Sequence, residues 1–393
     1  MATTEAKAHG MDGSLVEPDW TPLTREEVQS VLAEFPECPG AVEILSVSPR
    51  PFSAASVVSV GGAKVLVKRH HRSVREPDGL KEEHQFIEHL RAKGASVPRV
   101  LDTHTYETTV ERDTWVYEVH AAATGIDAYV DAVSWTPFRS VKHAFSAGQA
   151  LAKLHLAARG FEAPARRTRV LVSSFTIFSD QDPGIAMNLY LAQRPTLAND
   201  AEVRRNCERA IELLEPFHHE LAPLVGKIGS FWTHNDLHAS NLFWSDKSDV
   251  AKAVAIIDFG LSDRTNAVYD LAIAVERNCV EWLALAEPEA RPNDVRVHLD
   301  HMTALLDGYE SVRPLLAGEA AALAPMTALC HAEFALSEVD YFLRVLHSAE
   351  KARMAHDGYL VGHARWFRSD AGSRMLDAIR RCANERAGRG NKE

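Results

Sequence analysis

Three side chains at fixed spacing carry the strongest chemical signal in this 393-residue chain. Asp236 and Asn241 lie five residues apart in His234-Asn235-Asp236-Leu237-His238-Ala239-Ser240-Asn241, and Asp258 follows seventeen residues later in Asp258-Phe259-Gly260. An aspartate five residues before an asparagine on one loop, with a second aspartate after the next hairpin, is the spacing used for phosphoryl transfer. On this reading Asp236 orients an acceptor hydroxyl and takes its proton. Asn241 and Asp258 hold magnesium ions that neutralise charge on the phosphates.

The flanks give the motif a frame. Phe231-Trp232 precede the loop; Leu242-Phe243-Trp244, the polar turn 245–249 and the apolar run Ala253 to Ile257 follow it. This pattern predicts loop, strand, turn and strand, with Asp258 at the strand's end and Gly260 as its exit. Motif and flanks resemble the aminoglycoside phosphotransferase and choline kinase family, the small-molecule branch of the protein-kinase-like fold. His238, two residues after Asp236, matches the family, as does Tyr269-Asp270-Leu271-Ala272; no Ala-Pro-Glu follows, as it would in a protein kinase. The resemblance implies an α+β, two-lobed protein-kinase-like fold, with a small antiparallel β-sheet N-lobe and a mainly helical C-lobe.

The elements that must position these residues begin at Thr24. Thr24 and Glu27 form a capping-box pattern ahead of Val28, Val31, Leu32 and Phe35 at helical spacing. Three β-type runs follow at 42–47, 56–60 and 65–69, the last two joined by Gly61-Gly62. Lys68 ends the third run, where a lysine is either an edge residue or a phosphate-binding cation; the downstream motif favours the cation. It needs a partner carboxylate, and the helix expected over 80–93 offers two. The resemblance selects Glu83, with Glu82 as the alternative. The loop 49–56 lacks glycine, and Ser53 and Ser56 are its candidate phosphate donors, a plain hairpin loop being the competing reading. Strands are expected at 97–101 and 115–119. Backbone groups of Glu118 and His120 are expected at the nucleobase edge, before a small-residue hinge at 120–125.

Helices are then expected at 137–159, with His155 structural by resemblance, in an insertion over 175–224 that includes 201–217, and at 271–285, 295–309, 319–329 with a break at Pro325, and 331–346. The acidic residues Glu276, Glu281, Glu333, Glu338 and Asp340 face solvent or bind ammonium groups of a substrate. The implied organisation is a disordered leader at 1–22, a nucleotide-binding lobe at 23–119, the hinge at 120–125, a catalytic and acceptor-binding lobe at 126–384, and a disordered tail at 385–393.

Composition sets bounds. A net charge of −11 disfavours nucleic acid as a partner, and no apolar run is long enough to span a bilayer. Five scattered cysteines, none in Cys-x-x-Cys spacing, argue against a zinc site and structural disulfides and fit a cytoplasmic protein. The expected activity is transfer of the γ-phosphoryl of ATP or GTP, with Mg2+, to a hydroxyl of a small molecule. An aminoglycoside-like or other antibiotic is the first acceptor; homoserine, choline, an amino alcohol or a sugar is the alternative. A nucleotide-binding module without turnover is the rival class. The chain is expected as a monomer or homodimer.

Overall fold

The computed structural model describes residues 7–286 and 291–390. They divide into two compact units. The first is 1–124 with Ala255–Ile257, and the second is Gly125–Val254 with 258–393.

In the first unit, β1 (Ala8–His9) and β2 (Leu15–Val16) form a small hairpin, followed by α1 (Arg25–Leu32), β3 (Val42–Val47), β4 (Ala54–Val60), β5 (Ala63–His71), α2 (Pro77–Ala92), β6 (Val110–Arg112) and β7 (Trp115–Ala121). The five longer strands make one antiparallel sheet in the order β3-β4-β5-β7-β6. Both halves of the Thr24–Glu27 capping box are present at the start of α1. Gly61, at φ 56°, turns β4 into β5 where a Cβ would come within 2.6 Å of the Pro39 carbonyl oxygen. Side chains alternate between the faces of the sheet. Val58, Val60, Val65, Val67, Tyr117 and Val119 therefore join Val28, Val31 and Leu32 of α1 in one core, and the intervening residues face α2.

Two expectations fail here. Residues 7–22 of the leader are not disordered: β1 and β2 pair, Trp20 stacks on His71 at 5.2 Å, and Arg69 bonds the Thr21 carbonyl at 2.5 Å. Residues 1–6 lie outside the described residues. Residues 97–101 form no strand beyond a bridge from Val100 to His120, since Pro98 has no N–H to give a ladder.

The second unit contains α3 (Val141–Ala158), α4 (Pro183–Ala192), α5 (Pro195–Ala198), α6 (Ala201–Val225), β8 (Ser230–Thr233), β9 (Leu242–Trp244), β10 (Ala253–Ile256, whose last two residues belong to the first unit), β11 (Asp263–Asn266) and α7 (Ala267–Cys279). There follow α8 (Leu299–Glu310), α9 (Ala317–Leu329), α10 (Ala332–Asp340), α11 (Ala349–Arg353), α12 (Gly362–Phe367) and α13 (Asp370–Gly390). Helix α3 lies directly against α8: a Cβ on Gly148 would sit 2.0 Å from the Leu305 carbonyl oxygen, and one on Gly308 1.9 Å from that of Phe145. α6 runs past its expected end at 217, through Pro216 and Pro223, because Leu214, Phe217 and Leu221 continue its buried stripe. α9 likewise passes Pro325 unbroken, every residue from Ala322 to Leu329 being buried. The helix expected over 331–346 gives way to a π-helical turn, Tyr341–Val345. α13 is helical to Gly390, so the expected tail is helix over 385–390; residues 391–393 lie outside the described residues. No described helix is long and apolar enough to cross a membrane.

Candidate active site

Asp236 sits on the loop between β8 and β9. Asn241 donates its amide Nδ2 to both the backbone oxygen and Oδ2 of Asp236, each at 2.9 Å. The two motif residues are thus locked together, and a 3₁₀ turn at Ala239–Asn241 sets the separation that permits it. His238 Nε2 lies 3.8 Å from Asp236 Oδ1.

The loop is held from α7. Asp270 accepts the backbone N–H groups of His234 and Asn235 at 2.9 and 2.8 Å, and His155 Nε2 meets its carboxylate at 3.0 Å. Burial works against the charge on Asp270, but the hydrogen bond and field of His155 and the contribution of His234 bring it below the ordinary carboxylate range. Two turns later, Asn278 donates to the Leu237 carbonyl at 2.8 Å and accepts from the Ala239 N–H at 2.9 Å. Between these anchors Arg277, 1% exposed, ion-pairs with Asp236 Oδ1. Its guanidinium also lies 4.8 Å from the Phe334 ring and 5.5 Å from that of Trp135.

Backbone strain gathers here. Asn235, Asp258 and Trp135 have φ of 61°, 62° and 66°, a region disfavoured for residues with a Cβ and often used at functional sites. Asn235 is supported in it, its Oδ1 accepting from Thr233 and Thr265 at 2.7 and 3.0 Å. The turn expected from Gly260 thus begins at Asp258 itself. With its NH2 donating to Asp236, Asn241 keeps its amide oxygen, the atom of an amide that can ligate a cation. The Asp258 carboxylate is likewise an oxygen donor, the type that suits Mg2+.

Arg277 and Asn278 were not among the expected site residues. Their signal was present: Glu276-Arg277-Asn278 is a polar run in an otherwise largely apolar helix. All of α7 is buried, so these groups cannot turn to water. Four of the five acidic residues read as facing solvent are buried as well, Asp340 at 2% exposure among them. Glu276 bonds His363 Nδ1 at 2.8 Å, Glu333 accepts the Ile177 N–H at 2.6 Å, and Glu338 is 2% exposed. Burial pushes Glu276 and Glu338 up to about 8, against the opposing fields of His331 and Arg277 respectively.

In the first unit Lys68 is half-buried on β5, paired with Ala55 and Glu118, and its side chain shares the α2 face with that of Glu118. Glu83 is 2% exposed whereas Glu82 is half-buried, so burial distinguishes the two candidates. Ser53 lies in the bend before β4. Ser56 does not share a face with Lys68. It pairs with Val67 and is fully buried on the α1 side, its hydroxyl without a partner. The backbone of Glu118 and His120 is also not placed for a nucleobase. Both lie within β7 opposite Lys68 and Leu66, in the phase fixed by the Ala122 N–H to Lys64 carbonyl bond of 3.1 Å. The ladder therefore consumes their N–H and carbonyl groups. Their side chains form a separate buried cluster.

Residues 51–315 match the model of a family described as "Phosphotransferase enzyme family". A homoserine kinase of Agrobacterium fabrum is 24% identical over 61% of this chain and 62% of its own length, so this chain spans under two thirds of that relative. A homoserine kinase of Granulibacter bethesdensis is 24% identical over 81% of this chain and 87% of its own length. Among solved structures, an aminoglycoside phosphotransferase from Alicyclobacillus acidocaldarius superposes with a TM-score of 0.53 at 15% identity, covering 94% of this chain and 98% of that one.

Proposed function

Because this chain belongs to the phosphotransferase enzyme family and is a small-molecule kinase of α+β, protein-kinase-like fold, we propose that it moves the γ-phosphoryl of ATP to a hydroxyl of a small amine-bearing acceptor. The observation that carries the catalytic assignment is the pair of hydrogen bonds that Asn241 donates to the backbone oxygen and carboxylate of Asp236. It presents one carboxylate in a fixed pose, as a group that orients a hydroxyl and takes its proton must be. Asn241 and Asp258 are the proposed magnesium ligands. Mg2+ would neutralise phosphate charge there, and Lys68, held by Glu83, would pair with the nucleotide phosphates.

For the acceptor, the support lies around Asp236. Among the described residues, Arg277 Nε and Glu338 Oε2 are buried without a hydrogen-bond partner, and each costs free energy until a ligand satisfies it. A hydroxylated amino acid or amino alcohol carries groups for this, and the two curated relatives named above are homoserine kinases. We therefore place homoserine and simple amino alcohols ahead of the aminoglycoside-like antibiotics first expected from the sequence. The solved structure that bears the aminoglycoside name is under 25% identical and speaks for the fold alone.

The test is Mg2+-dependent ADP release with a panel of homoserine, amino alcohols, choline, sugars and aminoglycosides, with Asp236→Asn as control. Release stimulated by an amine-bearing acceptor and lost in the variant supports the reading. Nucleotide binding without release for any acceptor would turn it toward a binding module. GTP in place of ATP is a second arm of the same assay.

A further inference from the structure

We propose that His84, His120 and Glu118, with His70 bonded to the far oxygen of the same carboxylate, form a binding site for a single zinc-like transition-metal ion inside the first unit. The alternation of side chains brings them together. His70 on β5 and Glu118 and His120 on β7 all point to the α2 side of the sheet, and α2 lays His84 over the same spot. Three imidazole Nε2 atoms converge on one carboxylate. His70 lies 2.9 Å from Glu118 Oε1, and His84 and His120 lie 2.6 and 2.8 Å from Oε2. The ligand atoms of His84, Glu118 and His120 all fall within 4.8 Å of one another.

The donor chemistry is specific. Two imidazole nitrogens and a carboxylate oxygen, from His84, His120 and Glu118, make a three-ligand set of the kind Zn2+ takes with a fourth position left for water, and His70 bonds the other oxygen of the same carboxylate. It is distinct from the oxygen donors proposed for Mg2+ at Asn241 and Asp258. All four residues are buried, none more than 8% exposed. A carboxylate taken so far from water needs compensating charge as well as hydrogen bonds, and a divalent cation supplies it. The ring of His84 is already oriented toward the shared carboxylate, since its Nδ1 is 2.8 Å from Thr108 Oγ1, which turns Nε2 to Glu118. Outer contacts of this kind fix the tautomer and pose of metal-bound histidines. The other ligand groups among the described residues, His298/Asp300/His301 and Glu202/His356/Asp357, each include an exposed carboxylate and lack this enclosure.

The site would also bear on the surrounding framework. Glu118 is the cross-strand neighbour of Lys68, and Glu83 precedes His84 on α2. An ion bound to β7 and α2 together would hold strand and helix in one register. The metal-binding proposal itself does not depend on the assigned activity, because its readout is the ion.

The full-length protein is stripped with chelator, dialysed, and titrated with Co2+ alone in excess Mg2+, followed by visible absorption and by competition with Zn2+. One equivalent with the absorption of a tetrahedral nitrogen/oxygen site, displaced by Zn2+, is expected. Glu118→Gln and His84→Asn should abolish that spectrum, and Thr108→Val should weaken affinity by about 10- to 100-fold. His301→Ala and His356→Ala should leave it intact. If the folded wild type binds no Co2+, or binds it equally in the Glu118, His84 and Thr108 variants, the cluster is a hydrogen-bonded network and the proposal is overturned. Should Glu118→Gln or His84→Asn fail to fold, Thr108→Val, which removes no ligand, decides.

Discussion

Arg277 forms its ion pair with Asp236 from the last turn of a helix that is buried along its whole length. That helix, α7, grips the loop of Asp236 at three successive points. Asp270 takes the N–H groups of 234 and 235, Asn278 holds 237 and 239, and Arg277 holds the Asp236 side chain itself. The loop's conformation is therefore determined largely by a helix that follows it in sequence.

Arg277→Gln should lower kcat by about 100-fold, the scale of cost when a reacting group is mispositioned. The nucleotide KM should change little, since Arg277 is assigned to the Asp236 side of the reaction. Asp236→Asn should lower kcat further, by about 1,000-fold or more. Steady-state kinetics with ATP and the acceptor varied separately checks both. Equal losses in the two variants would make Arg277 part of the chemistry itself.

Asp270→Asn replaces an oxygen that accepts a backbone N–H with an NH2 that cannot. Either the Asn235 N–H, or the His234 N–H together with His155, loses its acceptor, and destabilisation of about 3 kcal/mol is expected. The pH dependence has a definite sign. The folded-state pKa of Asp270 lies below its ordinary value, so its contribution is complete above that value and is lost as pH falls through the lowered one. Urea unfolding at about pH 7 and about pH 2 should show a larger deficit for the variant at pH 7.

Gly148→Ala and Gly308→Ala should each cost about 3 kcal/mol or more, because the added methyl would overlap a carbonyl oxygen of the opposing helix. Separation of α3 from α8 should also reach the loop of Asp236. Tyr309 on α8 bonds His155 Nδ1 at 2.7 Å, and His155 meets Asp270. Denaturant melts give the stability loss. Residual kcat in the folded fraction reports the coupling, and a wild-type value there would confine the effect to packing.

What the sequence disclosed and what it concealed follow from the same physics. The Asp236–Asn241 spacing and the capping box at Thr24 are local relationships, closed within five residues, and both are met in the structure. Arg277 and Asn278 escaped because polar residues in a helix are ordinarily read as a solvated face, a rule that fails where a helix is buried on every side. Ser56 was misjudged for a different reason. A hydroxyl beside a loop reads alike on either face of a strand until pairing with Val67 fixes the register. The histidine cluster was equally hidden, its members spanning β5, α2 and β7; the adjacent pairs His70-His71 and His218-His219 read as surface histidines without metal partners, whereas His70 is buried.

Glu338→Gln should change both the pH profile of stability and the response to acceptor. Burial, opposed by Arg277, raises the folded-state pKa of Glu338 from 4.5 to about 8. The folded state therefore holds a proton that the unfolded chain releases, and the stability tied to it is full below about pH 4.5 and lost as pH rises through 8. The loss is on the order of a few kcal/mol. Gln cannot titrate, so the variant should unfold with a flatter dependence between about pH 5 and pH 8. If Glu338 receives the ammonium of the acceptor, binding must ionise it. Calorimetry in buffers of different ionisation enthalpy should then show up to about one proton released per acceptor bound near pH 7 in the wild type, and less in Glu338→Gln. The KM for amine-bearing acceptors should rise in the variant by about 10-fold or more, on the scale of one charged hydrogen bond, with the ATP KM unaffected. A flattened stability profile with unchanged proton release and acceptor KM would leave Glu338 a buried acid of the core and move the ammonium site elsewhere.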